Sequence, residues 1–149
     1  MLEVMVAPIN RKSKIGIVIP TPTEDNRNIR RCMDSIAETT SELDVEISVV
    51  VDSGPEFRFS KSINLGIQRT RECDAWVLVN DDCTFSRDWL GKMLDAAESD
   101  PNIGLVGAVI FGPKGEIDHA GGFLTTKFTE GFREMLRRRM YAQAIRMPF

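Results

Sequence analysis

Two adjacent aspartates, Asp81 and Asp82, are the residues whose type and position most directly suggest chemistry. They follow Asn80 at the end of the apolar run Trp76-Val77-Leu78-Val79, which has the composition of a buried strand. Neighbouring carboxylates repel each other unless a cation or backbone amides relieve the charge. Their oxygens suit Mg²⁺ or Mn²⁺, which commonly bind one or two protein carboxylates together with substrate phosphates. The motif therefore predicts either a divalent-metal site or, more often for so short a motif, a loop in which both side chains cap backbone amides.

Two other predicted strands also end in polar residues. Pro20-Thr21-Pro22-Thr23 follows the apolar run 15–19, and Asp52-Ser53-Gly54 follows the run 45–51. In an open α/β sheet, ligands bind beyond the carboxyl ends of the strands. We therefore expect all three strand ends to converge on one edge if the strands are parallel and adjacent. There, Asp52 would either accept a hydrogen bond from a nucleobase or ribose, or only form an Asx-turn.

The elements that must position these strand ends alternate between strand and helix. Apolar runs predict the strands, and helical spacing of apolar residues predicts the helices between them. The predicted elements are a strand at 15–19 that Pro20 ends, a helix with Asn26 as its N-cap, a strand at 45–51, a helix at 60–71 with Ile63 and Ile67 facing inward, a strand at 76–79, a helix that Ser86 caps, a strand at 103–111, its hairpin partner at 116–124 and a helix at 128–145. This order predicts an α/β fold, a mostly parallel sheet flanked by helices, with a C-terminal hairpin and helix. At 149 residues the chain fits a single domain, with a core at 14–124 and a basic helical tail at 125–149.

Composition and charge argue against several classes of protein. The net charge of −3 disfavours a general nucleic-acid-binding protein. Three cysteines without a CxxC pair, with one histidine, disfavour a structural zinc site, and Cys83 beside two aspartates is a poor nucleophile. The GxxxxGK[ST] and GxGxxG phosphate-binding loops are absent. Without a long apolar segment or an evident secretory signal, we expect a cytoplasmic protein.

Five segments, taken in order, resemble the family 2 glycosyltransferases of the nucleotide-binding GT-A fold. They are Ile17-Val18-Ile19-Pro20-Thr21, Val49-Val50-Val51-Asp52-Ser53-Gly54, Asn64-Leu65-Gly66-Ile67, Val77-Leu78-Val79-Asn80-Asp81-Asp82 and Ile117-Asp118-His119-Ala120-Gly121-Gly122. The last segment is similar to one in rhamnosyltransferase-like members. The order and spacing of the five, within residues 14 to 124, are more specific than any one motif. The resemblance implies a Rossmann-like GT-A fold and favours the metal interpretation of Asp81 and Asp82.

The resemblance also implies a binding site for a nucleotide-diphosphate sugar, which would be the donor. Asp52 would contact the nucleobase, and Pro20 and Thr21 would line the same nucleotide pocket. Asn64 is a second candidate for that pocket, with capping or packing around Gly66 as its alternative role.

Residues 80–82 would stand at the family's Asp-x-Asp position. Asn80 departs from the aspartate often found first in that motif, although its amide oxygen can still accept a hydrogen bond. Asp81 would lie near the ribose or the metal. Asp82 would be a ligand of the divalent cation, Mn²⁺ or Mg²⁺, that bridges the donor diphosphate.

The implied reaction is an inverting displacement at the sugar's anomeric carbon by a hydroxyl of a glycan or similar acceptor. The cation would neutralise the departing nucleoside diphosphate, and a carboxylate base would take the acceptor proton. The resemblance assigns no residue as that base, because family members continue into an acceptor-binding half that this sequence does not match. Either Glu130 or Glu134 would take its place, or another chain would supply it, or the chain is only the donor-binding half. His119 would be either a donor-side residue or a structural residue of the hairpin.

Two other classes of function stay open from the sequence. The chain would be a non-catalytic or truncated nucleotide-sugar-binding module if the acceptor half is missing. It would be an oligomeric interaction protein, such as a homo-oligomer, if the basic tail is a contact surface. Residues 127–149 carry six bases against two acids, a charge that also allows weak contact with an anionic membrane surface.

Overall fold

The structure, a computed structural model, describes residues 9–23, 25–54, 57–120 and 146–148. The chain divides into two compact units, Ile9–Gly91 and a second that takes in the described residues from Lys92 onward. Among the described residues, no helix combines the length and hydropathy that crossing a membrane requires.

The Ile9–Gly91 unit is built on three parallel strands in the order β2-β1-β3. Strand β1 (Ile15–Thr21) lies in the centre, between β2 (Val45–Val51) and β3 (Ala75–Leu78). Helix α1 (Arg27–Thr39) connects β1 to β2, and helix α2 (Phe59–Arg69) connects β2 to β3. The predicted α/β architecture, a parallel sheet flanked by helices, is therefore confirmed at this level.

The core of this unit forms where α2 packs against the sheet. Every residue of β1 is buried, and Val18, Val50 and Ile63 form one apolar cluster with Ile67 beside it. A Cβ added at Gly66 would collide with the Val18 side chain, so glycine lets α2 approach the central strand closely. The predicted inward faces of Ile63 and Ile67 are confirmed.

Helix α1 begins as the sequence predicts. Asn26 is its N-cap, and the Asn26 side chain accepts a hydrogen bond from the backbone N–H of Ile29 at 2.9 Å. Ile29 and Ile36 are buried on its inner face. Helix α3 (Trp89–Glu98) instead begins three residues beyond Ser86, because Asp88 adopts a left-handed φ of 57° that a helix cannot include. The prediction that Ser86 caps α3 is therefore wrong.

Strand β1 continues through Pro20, although the sequence predicted that proline would end it. In parallel strands, the N–H and C=O of alternate residues face the same neighbour. The Val18 C=O accepts from Val79 N–H on the β3 side, whereas the Thr21 C=O accepts from Asp52 N–H on the β2 side. Pro20 therefore faces the β3 side. The next bond of that ladder would run from the N–H of residue 20 to the Val79 C=O, so the proline, which has no N–H, ends the pairing with β3 while β1 continues beside β2 to Thr21.

Four short strands lie among the described residues of the second unit. They are β4 (Ile103–Val106), β5 (Ile110–Phe111), β6 (Ile117–His119) and β7 (Arg146–Pro148). Strands β5 and β6 pair antiparallel, which confirms the predicted hairpin around residues 112–115. The single strand predicted at 103–111 is wrong, because β4 ends before Gly107 and pairs with β7 instead.

The predicted helical tail can be compared with the structure only at its end. Residues 128–145, where the sequence predicts a helix, lie outside the described residues. Within 125–149 the described residues are Arg146–Pro148, and these form strand β7 antiparallel to β4 rather than a helix. Residues 146–148 are extended because they pair with β4, a distant part of the chain. The spacing of apolar residues within the tail contains no information about this pairing.

Candidate functional site

The carboxyl ends of β1, β2 and β3 meet in an open cleft of about 450 Å³, within the Ile9–Gly91 unit. This edge is where ligands bind in open parallel sheets. The described residues that line the cleft are Pro20, Thr21, Pro22, Asp52, Gly54, Phe57, Phe59, Asn80, Asp81 and Asp82. The convergence predicted from the alternation of strands and helices is confirmed.

Thr21 connects the end of β1 to Asp81, sixty residues further along the chain. Its hydroxyl donates to Asp81 Oδ2 at 2.7 Å and also lies 3.0 Å from the Thr23 carbonyl oxygen. A hydroxyl has one proton, and the shorter contact to a charged oxygen is the stronger of the two. Since Thr21 is 1% exposed, this side chain orients Asp81 and presents little surface of its own to a ligand.

Asp52, at the end of β2, is held at two atoms. Its backbone N–H donates to the Thr21 C=O at 3.0 Å, and its Oδ2 accepts from the hydroxyl of Ser62 at 3.2 Å. Ser62 is buried on α2, so the helix fixes the carboxylate from behind. A carboxylate has about four acceptor positions, and the half-buried Asp52 can still accept a hydrogen bond from an N–H or O–H group in the cleft.

Asp81 and Asp82 lie in a turn that directly follows β3. The Asn80 carbonyl accepts from Cys83 N–H at 3.3 Å, which closes the turn. Among the described residues, neither carboxylate accepts a hydrogen bond from a backbone N–H: Asp81 accepts from the Thr21 hydroxyl, and Asp82 Oδ1 lies 4.0 Å from Cys83 Sγ. The amide-capping interpretation of this motif therefore does not describe the observed contacts.

The two cysteines near this turn are held in the thiol form. Burial, with smaller contributions from the nearby Cys83, Asp81 and Asp82, raises the pKa of Cys32 to about 11. Burial and then the Asp82 carboxylate also raise the pKa of the Cys83 thiol. Both thiols are protonated at neutral pH, so the expectation that Cys83 is a poor nucleophile agrees with its surroundings.

Asp81 and Asp82 suit a divalent cation whose other ligands come from water and from a bound molecule. Within the described residues, no three or more His, Cys, Asp or Glu side chains are grouped so that they could hold a metal ion. Two carboxylates from the turn are the most that this motif offers. Mg²⁺ and Mn²⁺ sites completed by water and substrate phosphates need no more protein ligands than that. The donor set therefore suits a cation that a phosphate-bearing ligand also contacts.

Phe57 and Phe59 are cleft residues that sequence reasoning missed. Their side chains are 39% and 47% exposed, and both line the cleft together with Asp52 and Gly54. Exposed aromatic rings beside polar groups provide faces on which a planar ligand can stack. The available signal was the pair of phenylalanines separated by Arg58 at the start of a polar helix, where they fit no inward-facing periodicity.

The cleft is strongly acidic. Asp52, Asp81 and Asp82 line it, and none of its described lining residues is Lys, Arg or His. A ligand with a diphosphate would meet like charge on this surface, whereas a cation would be attracted to it.

Four predicted site residues are not among the described residues that line the cleft. Asn64 is exposed on α2 and lines a separate shallow depression rather than the cleft, so the structure does not bring it to Asp52. His119 is the last residue of β6, in the second unit, and is exposed. Glu130 and Glu134 lie outside the described residues.

Comparison with known proteins adds one relative. No protein-family model and no solved structure matches the chain. A stretch of 79 residues, 52% of the chain, is 37% identical to "Uncharacterized protein y4gI" of Sinorhizobium fredii (strain NBRC 101917 / NGR234). The match covers 8% of that relative, so the chain spans a small part of the length of the protein it is similar to, and the likeness assigns no family.

Proposed function

We propose that the cleft binds a nucleotide-diphosphate sugar together with a divalent cation, and that the protein is an inverting glycosyltransferase of the GT-A type, similar to family 2. The observation that carries the proposal is the meeting of Asp52, Asp81 and Asp82 in one cleft. These carboxylates come from two strand ends, and the Phe57 and Phe59 rings lie beside them.

The charge of the cleft supports a cation as part of the bound ligand. Two like unit charges about 5 Å apart repel by about 3 kcal/mol at an effective dielectric constant of about 20. A diphosphate placed near Asp81 and Asp82 would meet this repulsion from each carboxylate. A divalent cation between the carboxylates and the phosphates makes the same contacts favourable. Mn²⁺ or Mg²⁺ would supply that charge neutralisation to the departing nucleoside diphosphate.

The opposite side of the cleft supports a nucleoside. The Asp52 carboxylate only accepts hydrogen bonds, so it suits a base N–H or a ribose hydroxyl. Its orientation is fixed by Ser62 before any ligand arrives. Phe57 and Phe59 offer apolar faces to the base, and stacking on aromatic rings contributes about 1–3 kcal/mol per base.

The chain's own residues would act on the donor as follows. Thr21 orients Asp81, Asp81 and Asp82 would hold the cation, which would neutralise charge on the diphosphate, and Asp52 would hold the nucleoside. The acceptor would be a hydroxyl of a glycan or similar molecule, which attacks the anomeric carbon with inversion while a carboxylate takes its proton.

A nucleotide-sugar-binding module without catalysis is the second candidate. One observation favours it: each carboxylate among the described lining residues already has a role on the donor, which leaves none for the acceptor proton. Release of nucleoside diphosphate from nucleotide sugars, measured with and without added glycan acceptors, distinguishes an enzyme from a binding module.

Calorimetric titration with UDP, GDP and dTDP, with and without Mn²⁺, tests the donor site. We expect at least one diphosphate to bind only with Mn²⁺, and Asp82→Ala to abolish that binding. Asp34→Ala is the matched control, because Asp34 is exposed on α1 outside the cleft and its loss changes the net charge equally. Absence of binding by every diphosphate to a folded wild-type protein overturns the proposal.

A further inference from the structure

The turn that carries Asp81 and Asp82 belongs to a segment, residues 79–88, that contains no helix or strand. Side chains of α1 contact the carboxyl-terminal end of this segment. The backbone N–H of Phe85 donates to Ser35 Oγ at 2.7 Å. The indole N–H of Trp89, at the start of α3, donates to Thr39 Oγ1 at 3.0 Å. The Phe85 and Trp89 rings are stacked with their centroids 4.2 Å apart. The hydrogen bonds to Ser35 and Thr39 therefore act on the same stacked pair.

The hydroxyl of Thr39 is oriented for this contact. It donates its own proton to the Ser35 carbonyl within α1 at 2.6 Å. A hydroxyl has one donor and two acceptor positions, so a lone pair is left to receive the Trp89 N–H. The receiving atom is thereby fixed by the helix itself.

The same face of α1 also contacts the beginning of the segment. Cys32 Sγ lies 3.8 Å from the Asn80 carbonyl oxygen, to which the thiol donates weakly. Cys32, Ser35 and Thr39 are three, four and seven positions apart, which places them on one side of a helix. One helical face therefore holds both ends of the segment, while Thr21 holds Asp81 between them.

We propose that Ser35 and Thr39 are positioning residues for the Asp81–Asp82 turn and that they set its affinity for a divalent cation. Neither residue lines the cleft. Adjacent carboxylates repel each other, so a loose turn would separate them, whereas a fixed turn keeps both available to one cation. Groups that orient metal ligands without touching the metal typically change metal affinity by about 10–100-fold when they are removed. The inference rests on the proposed function, which supplies the cation.

Ser35→Ala removes the acceptor for the Phe85 N–H, and Thr40→Ala is its matched control. Thr40 is the buried C-cap residue of the same helix, and its hydroxyl donates to the Ile36 carbonyl at 2.8 Å. Ser35→Ala removes a hydroxyl and Thr40→Ala removes a hydroxyl and a methyl group, but only Ser35→Ala removes a hydrogen bond to residues 79–88.

The affinity for UDP with Mn²⁺ and the affinity for metal-free uridine are measured separately by calorimetry. We expect Ser35→Ala to weaken UDP binding with Mn²⁺ by about tenfold and to leave uridine binding unchanged. Thr40→Ala should leave both affinities unchanged. Amide hydrogen exchange over residues 79–88 should be faster in Ser35→Ala than in Thr40→Ala, as a readout that needs no ligand.

Trp89→Phe is the second variant, in case Ser35→Ala fails to fold. It removes the N–H that Thr39 receives and keeps an aromatic ring to stack on Phe85, and we expect it to weaken UDP binding with Mn²⁺ in the same way. Equal weakening by Ser35→Ala and Thr40→Ala would show a merely structural role and overturn the inference. Wild-type affinity in Ser35→Ala overturns the inference alone, whereas a wild-type protein that binds no diphosphate overturns the proposed function and the inference with it.

Discussion

Replacing Thr21 with valine tests the hydrogen bond that links β1 to the acidic turn. Valine has nearly the shape of threonine, so at a position that is 1% exposed the packing is retained and the hydroxyl is lost. That hydroxyl donates to Asp81 Oδ2 at 2.7 Å. A hydrogen bond to a charged group contributes about 1.5–3 kcal/mol. Because Asp81 is half-buried and water replaces part of the contact, we expect Thr21→Val to lower the free energy of unfolding by about 1.5 kcal/mol.

Thermal unfolding followed by circular dichroism measures this change. For a chain of this length, about 1 kcal/mol corresponds to about 4 °C, so the Tm of Thr21→Val should fall by about 6 °C. The same variant should bind UDP with Mn²⁺ about tenfold more weakly, because Asp81 loses the group that orients it.

Thr40→Val is the control for the loss of a buried hydroxyl. Thr40 is 3% exposed, and its hydroxyl donates to the uncharged Ile36 carbonyl at 2.8 Å. We expect a cost of about 1 kcal/mol and no change in the affinity for UDP. If Thr21→Val is no less stable than Thr40→Val and binds UDP with Mn²⁺ as tightly as the wild type, the reasoning about Asp81 is refuted.

Three further predictions concern the two phenylalanines of the cleft, the N-cap of α1 and the buried thiol of Cys32. Phe57→Ala and Phe59→Ala should each weaken metal-free uridine binding by about tenfold in calorimetry, since stacking contributes about 1–3 kcal/mol per base; Leu65→Ala, an exposed apolar residue of α2 outside the cleft, should change nothing. Asn26→Ala removes the N-cap of α1 and should lower the free energy of unfolding by about 1 kcal/mol in urea titration. Asn26→Asp keeps a side-chain oxygen that caps the helix and should leave the free energy of unfolding unchanged. Burial raises the pKa of Cys32 to about 11 from the usual 9.0, so the unfolded chain loses this proton first and the stability should fall as the pH rises from about 9 toward 11; chemical unfolding across this range should show a shallower fall in Cys32→Ala, and an equal slope would contradict the assignment.

The strands of the first unit could be predicted because burial leaves a strong pattern in sequence. Strand β2 has the predicted bounds, Val45–Val51, since five of its seven residues are valine or isoleucine and turn residues follow it. The end of β1 could not be predicted, because Pro20 faces β3 and leaves the pairing of β1 with β2 intact through Thr21. Which neighbouring strand each residue faces is set by the sheet and cannot be read from the residues around Pro20.

The convergence of Asp52 and Asp81 on one edge of the sheet could be predicted because both follow predicted strands. The contacts that Ser62 and Thr21 make with them could not be predicted, because these contacts depend on side chains placed by packing. Asn64 lies outside the cleft, on the exposed side of α2. The inward face of α2, which includes Ile63 and Gly66, places position 64 toward solvent by helical periodicity.

The three carboxylates of the cleft repel each other, and neighbouring groups hold them in place. Asp52 is fixed by Ser62, Asp81 by Thr21, and the turn by α1, so the carboxylates stay together although they repel each other. A diphosphate alone meets this repulsion, and a cation alone finds two protein carboxylates and water. Each therefore completes the site for the other, and by linkage each must raise the affinity for the other by the same factor. In the proposed function, the cleft recognises the cation and the diphosphate as one ligand, which is why three acidic residues and no basic one can form the lining of a site for a nucleotide sugar.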